Sequence, residues 1–213
     1  MSSESRIVIW GIGTSRTLRV HWLAHELGLD YEVQRVGART GETQTPEYLA
    51  MSPKGKVPVM THDDLVLTES AAILTYLTEV FADEQRWFVP QTARERGVLW
   101  EWCFYVMTEL DAHPLYIMRR HEALADVYGE APDAVQSARE YFYRLIGFAD
   151  ARIGAAAPYL FGERPSIADI LLTTTLNWAN NYGLQLSDEL LKYAETVTAR
   201  QAYQSAHAMN YPS

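Results

Sequence analysis

"IWGIGTSRTLRV", residues 9–20, joins an apolar run with the character of a strand to an amphipathic run with that of a helix. Upstream, "RIVIW" is β-branched and apolar, and the glycines of "GIGT" end it. Downstream, "SRTLRVHWLAHELG" suits a helix stopped at Gly28. "DYEVQRV" then reads as a second strand and completes a β-α-β unit whose short crossover makes its strands parallel. Two adjacent hydroxyls, Thr14 and Ser15, stand at the junction of strand and helix. They either cap the helix or act on something held at its start.

After the loop "ARTGETQTPE" and the short helical "TPEYLAM", the pattern changes. "KVPVMTHDDLVLTES" reads as two short strands joined at His62-Asp63-Asp64, an antiparallel hairpin. "ESAAILTYLTEVF" is helical, with Ile73, Leu74, Leu77, Val80 and Phe81 at core spacing. The first part is thus βαβ followed by ββα, a compact α/β domain over 1–82. "ADEQRWFVPQT" breaks the periodicity, so 83–92 reads as a linker. From 93 to 213 only helical signals follow: 93–124, bent or interrupted before Pro114; a second helix from near Pro132 to 155; a largely apolar third over 166–183; and a last over 186–209. The fold class expected is α/β plus all-α.

Composition narrows the function. The chain has 213 residues and is 48% hydrophobic, enough for two domains with real cores. A net charge of -9 opposes a nucleic-acid partner, because phosphate backbones are held by clustered Lys and Arg. No apolar run approaches membrane-spanning length and "MSSESRIVIW" does not look like a leader, so a soluble cytoplasmic protein is expected. One cysteine, Cys103, cannot form an internal disulfide or a CxxC pair, and reads as a small buried hydrophobe. Gly11-x-Gly13 is followed by Arg16 where a nucleotide loop needs glycine. His21 and His25 share a helix face without a third ligand, so no metal is expected.

Two places suit a ligand. Pro58 between Val57 and Val59 cannot donate to a sheet ladder, so it belongs at an edge or a strand start and leaves neighbouring backbone groups to pair elsewhere. An ordinary edge-strand proline has the same sequence. Glu69 and Ser70 fall where a strand hands over to a helix, whose free N–H groups and dipole attract a carboxylate; Ser70 adds a donor and Glu69 can meet an ammonium. Together they suit an amino-acid head group, although a plain N-cap beside an acid would look alike.

"TSRTLRVHWLAHELGLDYE", "TPEYLAMSPKGKVPVM" and "LTESAAILTYL" resemble, in order and spacing, the amino-terminal domain of the cytosolic glutathione transferase superfamily. "YLFGERPSIADILL" resembles its helix-start signature, and "ARQAYQSAHA" the last helix of many bacterial members. The resemblance implies a thioredoxin-like domain, then a helical bundle, in a protein that binds glutathione as co-substrate and forms a homodimer. Carried over by position, Val57 pairs its backbone with the cysteinyl part of glutathione beside a cis Pro58. Glu69 and Ser70 hold the γ-glutamyl end, and Lys56 neutralises the glycine carboxylate or is a solvated loop lysine. Ser166 and Asp169 form a capping box worth on the order of 1 kcal/mol, a folding role.

Family members activate the glutathione thiol from the segment between the first strand and helix, where this chain offers Thr14 and Ser15. Ser15 matches the serine of the theta and delta classes, Thr14 the first serine of the zeta pattern, and Ser15 is slightly preferred. A thiol of pKa near 8.5 must fall about two units to be mostly thiolate at neutral pH, roughly 3 kcal/mol. One charge-assisted hydroxyl bond contributes about 1.5–3 kcal/mol and the helix start about 0.3–1 more, so no base is needed. The second substrate, a small hydrophobic electrophile, is expected against Tyr105, Glu109 and Tyr116, with His113 adjacent and Trp10 and Ile12 from the first domain. These aromatics equally suit core or dimer contacts. Glu109 and His113 would permit proton transfer, so glutathione-dependent isomerisation or aryl-ether cleavage stands as an alternative, as does a non-catalytic glutathione-binding module.

Overall fold

The computed structural model describes residues 6–153 and 158–212. Strand β1 (Ile7–Ile12), helix α1 (Ser15–Glu26) and strand β2 (Glu32–Gly37) form the parallel unit that the opening stretch predicts. A short 3-10 turn (Glu42–Gln44) and α2 (Pro46–Met51) follow, then β3 (Val59–His62), β4 (Leu65–Thr68) and α3 (Ser70–Phe81). The sheet order is β2-β1-β3-β4, with β3 antiparallel to both neighbours. Because β3 is interior, Pro58 is tolerated only because it stands just before the strand; its peptide bond with Val57 is cis. Helices α1 and α3 pack together over the sheet. In α3 the buried stripe is Ser70, Ile73, Leu74, Leu77 and Thr78. Val80, expected in the core, lies at the rim of that stripe near the helix end and is 48% exposed.

Helix α4 (Ala93–Phe104) starts at a capping box in which Thr92 Oγ1 accepts from the Glu95 N–H and the Glu95 carboxylate accepts from the Thr92 N–H. The chain then continues helically through Pro114, so of the bend or interruption expected before it, the interruption is not seen. It widens into a π-helical stretch (Tyr105–Leu115), passes through α5 (Tyr116–Met118) and a second π-helical stretch (Arg119–Ala123), and ends in α6 (Ala125–Tyr128). Pro114 is buried within the first of these. A π register changes which carbonyl each N–H meets, so the proline sits inside a helix that is widened rather than broken.

Helix α7 (Pro132–Ile153) is seen as far as Ile153; residues 154–155 of the predicted helix lie outside the described residues. Helix α8 (Ile167–Asn181) is buried on nearly every side. The single last helix expected over 186–209 is two, α9 (Asp188–Thr198) and α10 (Gln201–Asn210), separated at Arg200, whose backbone is extended. Two compact units result: one runs to Glu84 and takes in the chain from Thr198 on, and the other is Gln85–Val197. Helix α10 therefore packs on α1, in the first unit. No helix among the described residues is long and apolar enough to cross a membrane.

Candidate functional site

The register of the sheet gathers the candidate residues of the first unit. Trp10 pairs with Val59, and Val59 with Thr68, so the end of β1, the start of β3 and the end of β4 form one row across the sheet. The segments that leave this row, residues 11–15, 57–58 and 69–70, emerge along one edge. Both α1 and α3 begin there and direct their unpaired N–H groups toward it. Gly11 makes the close approach possible: it has φ +116, and a Cβ on it would stand 2.6 Å from Val57 Cβ and 2.9 Å from Thr17 Cγ2.

The two hydroxyls of the opening stretch have different positions. Thr14 is the N-cap of α1: its Oγ1 accepts from the Thr17 N–H at 3.1 Å, and Thr17 Oγ1 accepts from the Thr14 N–H at 3.1 Å. Ser15 is the first helical residue, half-buried, and no hydrogen bond engages its hydroxyl among the described residues. Behind the turn lies His21, fully buried. Its Nε2 is 2.9 Å from the Gly11 carbonyl, which can only accept, so Nε2 carries the proton and Nδ1 accepts from the Tyr31 hydroxyl at 3.1 Å. Burial pushes the His21 pKa down to about 4, against the pull of the Gly11 carbonyl, and the imidazole is neutral. Both ring nitrogens are thereby engaged.

At the start of α3, Ser70 is 2% exposed and its Oγ has no hydrogen-bond partner among the described residues, a buried donor at a helix N-terminus. Glu69 beside it holds φ +69, a left-handed conformation costly for a residue with a side chain. Its exposed carboxylate pairs with Lys54. Lys56 lies two residues further on with its side chain exposed; its carbonyl accepts from the Tyr48 and Ser52 hydroxyls. Val57 is half-buried and Pro58 buried. Trp10 sets its ring edge-on to Tyr48, and its buried indole N–H lacks a partner among the described residues; Ile12 is half-buried.

In the helical unit, the Tyr105 hydroxyl donates to the Leu145 carbonyl at 2.7 Å and its ring packs on Trp102 and Phe148. That hydroxyl is therefore committed to the α7 backbone. Glu109 accepts from the Tyr141 hydroxyl, and the exposed His113 sets its ring 4.4 Å from that of Tyr141. The hydrogen bond to Glu109 raises the Tyr141 pKa. Tyr116 is half-buried one turn further on. Glu109 and His113 thus meet through Tyr141, a residue sequence reasoning does not single out because it lies 32 positions away from Glu109, on α7. Lys54, the ion-pair partner of Glu69, is not singled out either, since nothing in "PKGK" separates its two lysines.

Residues 5–79 match the glutathione S-transferase N-terminal domain and residues 132–207 the glutathione S-transferase C-terminal domain. The chain is 28% identical over 200 residues to maleylacetoacetate isomerase of Pseudomonas aeruginosa, with 87% of each chain covered. It is 30% identical over 161 residues to glutathione S-transferase 3 of Zea mays, covering 71% of this chain and 68% of that protein. The theta class glutathione S-transferase from the citrus canker pathogen Xanthomonas axonopodis pv. citri, solved with glutathione bound, superposes with a TM-score of 0.77 at 27% identity, covering 95% of this chain and 97% of that one. A four-stranded βαβ-ββα unit followed by helices, with matches in both halves, gives one conclusion: the chain belongs to the glutathione S-transferase family.

Proposed function

We propose that this protein is a glutathione transferase in which Ser15 stabilises the thiolate of glutathione for attack on a small hydrophobic electrophile. The observation that carries this reading is the division of labour at the start of α1: the Thr14 hydroxyl caps the helix, while that of Ser15 has no partner among the described residues. The Ser15 hydroxyl donates to the sulfur and does not itself ionise. With the helix start behind it, that bond supplies the roughly 3 kcal/mol needed to bring a thiol of pKa near 8.5 to thiolate at neutral pH. The backbone of Val57 meets the cysteinyl part. The orphaned Ser70 hydroxyl and the α3 N-terminus take the γ-glutamyl carboxylate, and Glu69 takes its ammonium. Lys56 is the proposed partner of the glycine carboxylate, while Lys54, paired with Glu69, stands at the γ-glutamyl end. The functional assembly proposed is a homodimer.

A narrower activity has its own support. Similarity to a maleylacetoacetate isomerase extends over 87% of both chains, and a thiolate that adds to a double bond and is then eliminated isomerises it at the same site. Within the second unit, Glu109, His113 and Tyr141 bring an acid, an imidazole and a phenol together.

The decisive experiment is the ultraviolet difference spectrum of bound glutathione titrated against pH in wild type, Ser15→Ala and Thr14→Ala. Thiolate well below the free thiol's pKa, lost in Ser15→Ala and kept in Thr14→Ala, is the expected result. A thiol that titrates normally in wild type makes the protein a binding module. Turnover of maleylacetoacetate far above that of generic aryl halides would favour the isomerase.

A further inference from the structure

We propose that Asn210, the last residue of α10, is a positioning residue for thiol activation: it holds the Ile12–Gly13 and Thr14–Ser15 peptide planes, on either side of the Gly13–Thr14 bond, and so aims the Ser15 hydroxyl. The inference rests on the role given to Ser15 above. Asn210 is fully buried. Its backbone carbonyl accepts from the Gly13 N–H at 2.9 Å, its Nδ2 donates to the Thr14 carbonyl at 3.2 Å, and its Oδ1 accepts from the Thr17 hydroxyl at 2.7 Å. One residue, 196 positions away from Thr14, thus grips the turn at Gly13, at Thr14 and at Thr17.

The turn needs such a grip. Gly11 and Gly13 both hold positive φ, in a segment whose glycines leave the backbone many alternatives. The Thr14 carbonyl belongs to the same peptide plane as the Ser15 N–H, so the direction of the Ser15 Cα–Cβ bond follows from how that carbonyl is held. That carbonyl accepts from the Leu18 N–H at 3.0 Å and from Asn210 Nδ2 at 3.2 Å, and the Thr17 hydroxyl, which Asn210 Oδ1 also engages, stands 2.8 Å from it. A hydroxyl donor is sensitive to aim, and a displacement of about 1 Å can cost on the order of a hundredfold in rate.

Holding α10 in place does not require Asn210. Arg200, at the other end of that helix, makes two 2.6 Å bonds to the Glu26 carboxylate, and Tyr203 sets its ring 4.8 Å from that of Trp22. An apolar residue would also fill a buried position at the helix end, whereas the amide is arranged donor to acceptor on the turn itself.

The test uses the full chain and glutathione, reading the pH titration of the bound thiol together with kcat and the KM for glutathione. Asn210→Leu is expected to raise the thiol pKa by about half a unit or more. That corresponds to an about threefold lower thiolate fraction below the pKa, with kcat reduced accordingly and KM changed less than about twofold. Thr17→Val removes the hydroxyl at constant shape and is expected to shift the pKa the same way, with Thr17→Ser restoring it; this pair serves if Asn210→Leu does not fold. Glu26→Gln, which loosens α10 at its far end, is expected to lower Tm without moving the thiol pKa. An unshifted pKa in both Asn210→Leu and Thr17→Val, or an equal shift in Glu26→Gln, overturns the positioning role and leaves the transferase reading intact. A wild-type thiol that titrates as free glutathione does overturns both.

Discussion

Thr14 and Ser15 are chemically similar neighbours, and their separate positions predict separate phenotypes. Removing the Thr14 hydroxyl takes away half of a capping box, so Thr14→Ala should lose about 1 kcal/mol of stability in urea unfolding. Ser15→Ala breaks no bond seen in the fold and should change stability by less than about 0.5 kcal/mol while removing the thiol donor. Equal destabilisation by the two would mean that both hydroxyls serve the helix. His21 adds a pH dependence to the same turn. Its pKa in the fold, about 4, lies below its ordinary value of 6.5, so the unfolded chain takes up the proton first as the pH falls. The stability conferred by the neutral imidazole is complete above about pH 6.5 and is lost on descending to about 4, a swing of about 3 kcal/mol. His21→Gln, which cannot titrate, should be less stable at pH 7 yet lose about 2 kcal/mol less than wild type between pH 6.5 and 4.5. Parallel stability curves for the two proteins would show that His21 protonates freely in the fold.

Among the elements, the start of α8 shows how far a local signal understates a tertiary one. The capping box of Ser166 and Asp169 is legible in "SIAD" and is worth about 1 kcal/mol by itself. In the fold, the Asp169 carboxylate is fully buried and accepts from the Ser166 N–H and hydroxyl at 2.7 Å each, from the Leu160 N–H at 2.8 Å and from the Tyr193 hydroxyl at 2.7 Å. Asp169→Ala strands four donors and should cost about 3 kcal/mol or more, whereas Ser166→Ala should cost about 1; urea midpoints measure both. A similar cost for the two would reduce Asp169 to a helix cap. The same contrast explains what the sequence reveals elsewhere. Strand–helix alternation up to Phe81 is legible because period-2 and period-3.6 patterns are local, and Ser15, Glu69 and Ser70 are legible because helix starts are. The division at Arg200 is not, since 188–209 keeps helical spacing with neither Gly nor Pro, and the side chain of Arg200 finds its partner in distant Glu26. Nor is the π-helical register around Pro114, because apolar spacing does not distinguish a π turn from an α turn. Asn210 and Tyr141 reach the turn and Glu109 only through tertiary packing, which leaves no mark on nearby sequence.

For the whole molecule, the proposed homodimer places a demand on α4. Val98, Trp100 and Phe104 are large apolar side chains of one helix, 40%, 45% and 65% exposed, and Trp100 and Phe104 stand one turn apart on the same face. Single exposed hydrophobes are ordinary, but clustered aromatics on a regular helix mark a surface that gains by being covered. The proposed second copy would cover it: with a net charge of -9 the chain repels its like at long range, so an apolar face would have to supply the attraction. Trp100→Glu combined with Phe104→Glu adds a charge to each of two copies at such a face and should dissociate the pair. Sedimentation equilibrium should then give the mass of one chain for the variant and of two for the wild type. Every residue proposed to touch glutathione lies in the first unit, so the dissociated variant should still bind it and still depress its thiol pKa. A wild type that sediments as a single chain removes the homodimer. A variant that separates and loses glutathione as well would mean that the site depends on the partner copy, and that the edge formed by Ser15, Val57 and Ser70 is incomplete alone.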